Sequence, residues 1–190
     1  MKKAQQFHRR SMAVPGVNLL GFNIVFVRQV HELAEWFGFE TRNKYQISVH
    51  NQKPIAFAAE QQKGIFGFLL RQFLGHWRTF EVHFFNPERQ IFMVGYHPFR
   101  WYFQRIEVRD SNGQILGAIQ KRFAILSKRF DVENERGLVV MEGSSPIWRI
   151  WTFTFFNREK KMAEIKKKWS GIFSEVFTDR DNFMIDFVEP

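Results

Sequence analysis

The chain has 190 residues, 45% of them apolar and 17% aromatic, with 24 phenylalanines and no cysteine. Lysine plus arginine exceed aspartate plus glutamate by 28 − 19 = 9, and the pI is near 10.0. This length suits one compact domain with or without a short arm; the apolar share excludes a disordered chain, and the missing thiols exclude disulfides, thiolate metal sites, cysteine catalysis and S-palmitoylation.

Residues 1–21 read as a flexible basic arm, interrupted by Pro15, Gly16 and Gly21 and without a sustained period. Residues 22–37, "FNIVFVRQVHELAEWF", place Phe22, Val25, Phe26, Val30, Leu33 and Phe37 at helical spacing, with Arg28 and Glu32 one turn apart on the other face. The spacing predicts one amphipathic helix ended by Gly38. Because Arg28, Glu32 and Glu35 leave its apolar face too narrow for nearly complete burial, such a helix is expected on the outside of a barrel or across one end.

From residue 44 the period becomes two. "KYQISVH", "RTFEVHFF", "QRIEVRD", "KRFDVEN" and "IWTFTFF" alternate, or mix β-branched with aromatic residues, as strands do. Polar turns follow at Asn86, Asp110, Asn134 and Asn157, with spacings of 24, 24 and 23 residues. This is an internal repeat of strand, tight turn, return strand and connection.

In the opposite phase lie "LGHWRTF", "HPFRWYF", "FAILSKRF" and "SPIWRIW". Alternate connections of an antiparallel meander emerge at opposite ends of the sheet. The Asn/Asp turns should therefore crowd one end and the Trp/Phe/Arg connections the other. The candidate surface comprises Trp77, Arg78, Phe99, Arg100, Trp101, Tyr102, Phe103, Arg105, Trp148, Arg149 and Trp151. Aromatic rings prefer the headgroup level of a bilayer, and arginine pairs with lipid phosphate while its stem stays in apolar surroundings. The competing reading is that these rings fill a barrel mouth.

No enzyme signature is present: no G-x-S-x-G, no P-loop and no H-E-x-x-H. The histidines show no ligand spacing, and His83 and His97 read as structural. No apolar run reaches the roughly 18–20 residues of a spanning helix. The basic start "MKKAQQFHRR" is not followed by an apolar signal core.

"GFETRNKYQI" (38–47), "AFAAEQ" (56–61), "QRIEVRDSNGQILGAI" (104–119) and above all "KKKWSGIFSEVFTDRDNFMIDF" (166–187) resemble the phospholipid scramblase family. The resemblance covers roughly residues 17–187 and implies a mostly β chain. Its fold would be a closed antiparallel tubby-like barrel of about twelve strands, occupying residues 22–190 with the 22–37 helix included. It also implies a peripheral protein on the cytoplasmic inner face of an anionic phospholipid membrane, with a role in transbilayer phospholipid movement. The alternative on the same barrel is a nucleic-acid-binding or regulatory protein.

Three departures stand out. The family's palmitoylated cysteine cluster is replaced by "PFRWYFQR". The family's apolar C-terminal helix, described as a membrane insert or a central plug, does not follow Pro190, so a barrel interior incompletely filled is expected. The proline-rich N-terminal region of some members is absent. The resemblance further implies a calcium-binding loop over 179–190. Asp179 and Asp181 suit its first positions and Asp186 adds a carboxylate, but Met184 and Pro190 stand where glycine and a bidentate acid belong, and the alternation of "NFMIDF" reads as a strand. Lys166, Lys167 and Lys168 form a basic patch at the place of a nuclear-import segment in some members. A solvated turn or one facing anionic lipid accounts for three lysines as well. The residues leave the oligomeric state open.

Overall fold

The computed structural model describes residues 17, 22–30, 44–49, 53–61, 79–149, 151–167 and 182–188. They form twelve strands: β1 (Ile24–Gln29), β2 (Lys44–Ser48), β3 (Ala56–Gln61), β4 (Phe80–Phe85), β5 (Ile91–His97) and β6 (Arg105–Asp110) in the first half. The second half holds β7 (Ile115–Arg122), β8 (Ser127–Asn134), β9 (Val139–Pro146), β10 (Thr152–Asn157), β11 (Lys160–Lys167) and β12 (Asn182–Phe187). Each pairs antiparallel with its sequence neighbour, and β1 closes the barrel by pairing with both β2 and β12. Closure leaves no open edge.

The predicted helix over 22–37 is overturned for residues 24–29, which are β1; residues 31–37 lie outside the described residues. Ile24, Val25 and Val27 are β-branched, and their backbone finds partners on both sides: Phe26 lies opposite Met184 on β12 and Ser48 on β2. Two ladders of hydrogen bonds outweigh a helical spacing of apolar residues.

Cross-strand register sorts the side chains. Val25, Val27, Ile47, Val82, Ile106, Ile119, Val132, Phe153, Ile165 and Ile185 share one face, and Glu107, Arg109, Asp131, Glu142, Glu164 and Lys166 the other. The apolar face is the lumen and the charged face the outer wall, as the two-residue period requires.

The hairpin turns share one architecture. In the first three, the Asp110 and Asn134 side-chain oxygens each accept two backbone N–H bonds, from Asn112 and Gln114 (2.9 and 2.8 Å) and from Arg136 and Leu138 (both 3.0 Å), while Asn86 Oδ1 accepts the Gln90 N–H at 2.8 Å and its Nδ2 donates to Gln90 Oε1 at 3.1 Å. Each encloses a three-residue loop whose last residue has positive φ: Arg89 (66°), Gly113 (83°) and Gly137 (74°). The fourth turn is one residue shorter, with Asn157 paired to Lys160 and Arg158 at φ 53°.

Past every turn the return strand carries one extra residue, a bulge at Phe92, Leu116, Val140 and Met162. Phe92 is buried with Ala56 and with Val17, from the segment read as an arm; Ile47, Ile55, Phe84 and Met93 pack around them. This cluster lies at the turn-side end of the barrel.

Candidate functional site

Up-and-down topology decides where the loops go. The turns at Asn86, Asp110, Asn134 and Asn157 join β4–β5, β6–β7, β8–β9 and β10–β11, so all four sit on one rim. The connections β5–β6 (Pro98–Gln104), β7–β8 (Phe123–Leu126) and β9–β10 (Ile147–Trp151) sit on the other. Trp101 and Trp148 are therefore on the rim opposite the polar turns, as the repeat phase predicts. Trp77 and Arg78 lie outside the described residues.

The two rims differ chemically. The four hairpin turns are charge-balanced, with Glu88, Asp110, Glu135 and Glu159 against Arg89, Arg136, Arg158 and Lys160; Lys53 in the β2–β3 connection adds one cation to that rim. Among the described residues it exposes apolar side chains beside the turns, at Ile91, Ile115, Leu138, Val139 and Val140, and where β1 meets β12, at Phe22, Phe187 and Val188, each less exposed than Trp101, Tyr102 or Trp148. The opposite rim carries Arg100 and Arg149 in its three described connections and no Asp or Glu. It turns its largest apolar side chains outward: Trp101 is 66% exposed, Tyr102 82%, Phe123 73%, Ile125 79% and Trp148 73%. Phe99, Phe103, Leu126, Ile147 and Trp151 are exposed beside them. Single exposed apolar residues are ordinary; a contiguous set of ten on three neighbouring loops marks an interaction surface.

These loops are braced from below. The buried side chain of Gln120, on β7, donates its amide to the carbonyls of Phe103 (2.9 Å), Lys121 (3.1 Å) and Gln104 (3.3 Å). Lys121 N–H donates to Gln104 O at 2.8 Å. Phe103 has φ 50°, a left-handed conformation costly for a phenylalanine, and the Gln120 amide helps to hold it. Buried Ser145 donates its hydroxyl to Arg149 O at 2.9 Å, and Ile147 N–H reaches Leu126 O at 3.4 Å, tying two of the connections together. Phe99 and Trp101 meet edge to face with centroids 5.4 Å apart. The rings are thus held outward on a fixed scaffold.

Between the β5–β6 and β7–β8 connections lies an open groove of about 360 Å³, lined by Arg100–Gln104 and Lys121–Ala124. Lys121, Arg122 and Phe123 were not singled out from the sequence. The phase of "FAILSKRF" was the available signal, since it places Phe123 on the same rim as Trp101.

Other predicted residues have different settings. Arg105 is the first residue of β6, with its guanidinium 2.7 Å from Glu133 and 3.7 Å from Glu107 on the outer wall. Arg109 continues the row, 2.8 Å from Glu107 and stacked on Tyr96 at 4.8 Å. Lys166 and Lys167 point to opposite faces of β11. Lys166 shares Glu164 with Lys161, at 2.9 and 2.8 Å, and these two hydrogen bonds hold the Glu164 carboxyl below the usual range. Lys167 lies over the Trp151 ring at 4.3 Å, a cation–π contact at the rim. Lys168, Asp179 and Asp181 lie outside the described residues. Asp186 sits in β12 directly opposite Glu164, so "NFMIDF" is the strand its alternation predicts. Among the described residues no three His, Asp or Glu side chains converge on a metal-sized site. His97 is buried and stacked on Phe80 at 4.7 Å.

The closed twelve-stranded antiparallel barrel is the architecture of a tubby-like fold. The chain belongs to the scramblase family, whose model matches residues 10–190. It is 27% identical to human phospholipid scramblase 2 over 91% of this chain and 62% of the relative. It is 21% identical to a phospholipid scramblase family protein of Schizosaccharomyces pombe, over 91% of this chain and 48% of the relative. Human phospholipid scramblase family member 5 is 27% identical over 85% of this chain and 64% of the relative. The chain thus spans about half to just under two thirds of the length of these relatives. No solved structure matches it. Among the described residues no helix is long and apolar enough to cross a membrane.

Proposed function

We propose that the aromatic, cationic rim docks this barrel on an anionic phospholipid surface, at the cytoplasmic inner face of the membrane. There it takes part in phospholipid movement between leaflets. The relatives are named for scrambling, which moves lipids and breaks no covalent bond. One observation carries the reading. Trp101, Tyr102, Phe123, Ile125 and Trp148 are exposed together on three described connections that carry arginine and no acid, while the four hairpin turns of the other rim are charge-balanced. Apolar side chains gain by leaving water for the acyl boundary, and each cation adds roughly 1 kcal/mol near an anionic surface. Trp101, Phe103 and Trp148 would enter the interface, with Arg100 and Arg149 at phosphate level.

Flotation with phosphatidylserine-containing and pure phosphatidylcholine vesicles tests this, with a single-stranded DNA shift assay alongside. The protein should float with the anionic vesicles. Trp101→Ala with Phe103→Ala should weaken flotation on both, and Arg100→Gln with Arg149→Gln should remove the preference for anionic lipid. Variants that float like the parent chain refute the docking rim. DNA binding tighter than vesicle binding would transfer the rim to nucleic acid.

A further inference from the structure

We propose that the groove between the β5–β6 and β7–β8 connections is a headgroup subsite that binds the phosphodiester of one phospholipid molecule between Arg100 and Lys121. This rests on the docking reading but asks more of the rim than adhesion: a defined place for a single lipid.

The charges are the first ground. Four cations of the outer wall are committed: Arg105 to Glu133, Arg109 to Glu107, and Lys161 and Lys166 to Glu164. In the groove, Arg122 is held by Asp131. Arg100 and Lys121 have no acidic partner among the described residues, and no Asp or Glu lines the groove. Two uncompensated cations facing one concavity call for an anion. Arginine offers a planar fork that fits two phosphate oxygens, and lysine a compact point charge beside it.

Rigidity is the second ground. The Gln120 amide and the Lys121 N–H to Gln104 O bond fix both walls, so little ordering remains to be done on binding. A flexible charged loop would lack that advantage.

Shape and polarity decide the occupant. The space of about 360 Å³ takes a phosphate together with the glycerol carbons beside it, which a bare phosphate would leave empty. Trp101, Tyr102, Phe103 and Phe123 form apolar flanks that continue onto the exposed rim at Ile125. A ligand with an anionic head and an attached apolar tail satisfies both parts. A free phosphate satisfies only the first.

The test uses dihexanoyl phosphatidylglycerol as dissolved monomers, read by tryptophan fluorescence and by amide chemical shifts of residues 100–104 and 121–124. The parent chain should show a saturable response. Arg100→Gln with Lys121→Gln should weaken it at least about tenfold. Arg136→Gln with Lys160→Gln, which removes the same charge from the turn rim, should change it less than about twofold. Inorganic phosphate should bind at least about tenfold more weakly. Equal losses in the two double variants, no saturable shift at the groove, or phosphate or oligothymidylate binding as tightly as the lipid would each overturn the subsite. If vesicles are bound while the dissolved lipid is not, docking survives and the subsite falls. If the dissolved lipid is bound and vesicles are not, the subsite stands and docking falls.

Discussion

The Gln120 side-chain amide donates to the backbone carbonyl of Phe103 at 2.9 Å, joining a buried position of β7 to the left-handed residue of the aromatic loop. The same nitrogen serves the carbonyls of Gln104 and Lys121, so one side chain supports both walls of the groove.

Gln120→Ala should leave those carbonyls short of donors and cost about 1–3 kcal/mol, the price of unsatisfied buried polar groups. Urea denaturation will measure the loss. Limited proteolysis should show new cleavage within 99–104, because Phe103 loses a bond that holds its strained conformation. Unchanged stability and protection would show that the amide does not brace the loop.

Arg105→Ala should act on stability and leave membrane affinity alone. Its partner Glu133 is nearly buried at 10% side-chain exposure, against 20% for Arg105 itself. A pair set between a surface and a buried one should cost about 1–3 kcal/mol when broken, mostly from the carboxylate left behind. Denaturation midpoint and vesicle flotation of the folded variant separate the two effects. Lost flotation with full stability would return Arg105 to the lipid surface.

Two glycines should respond differently to alanine. At Gly117 a Cβ would run into the backbone carbonyl oxygen of Glu133 on β8, and backbone cannot step aside cheaply. Overpacking of this kind costs about 1–3 kcal/mol or more. At Gly113 a Cβ meets only open space, but φ is +83°, so the cost is backbone strain alone, about 1–2 kcal/mol. Thermal melts should place Gly117→Ala below Gly113→Ala, and both below the parent chain.

Glu164 should make stability acid-sensitive. Hydrogen bonds from Lys161 and Lys166 lower its pKa in the folded state below 4.5. The folded chain therefore favours the ionised form, and this contribution is complete above the unfolded value and disappears as pH falls through the lowered folded value. Melting temperatures from about pH 7 down to about pH 3 should fall more steeply for the parent than for Glu164→Gln. Parallel curves would show that the two lysines contribute nothing there.

Much of the barrel was legible from local signals. Period-two alternation marks β2, β4, β6, β8 and β10, and the Asn/Asp turns at 24, 24 and 23 residues mark four hairpins. Both signals are local: strand alternation needs only neighbouring residues, and an Asn or Asp oxygen closes a turn onto amides two and four positions ahead. The antiparallel rule then carried Trp101 and Trp148 to the rim opposite those turns without any tertiary information.

The sequence by itself therefore determined the repeat, the turns and the segregation of aromatic from polar connections, because each is written within a few residues. Tertiary structure alone decided the rest. Residues 24–29 carry a helical spacing of apolar side chains and become a strand because β12, 162 positions away in the pairing of Ile24 with Asp186, supplies a ladder that only barrel closure brings alongside. Arg105 reads as one of the loop's cations until β8 sets Glu133 against it. Lys121 and Arg100, 21 positions apart, line one groove because β6 and β7 return the chain to the same rim. Hydrogen bonds and charges settle on the partners that the folded sheet places within reach, and those partners are set by closure and register, which no short stretch of the chain contains.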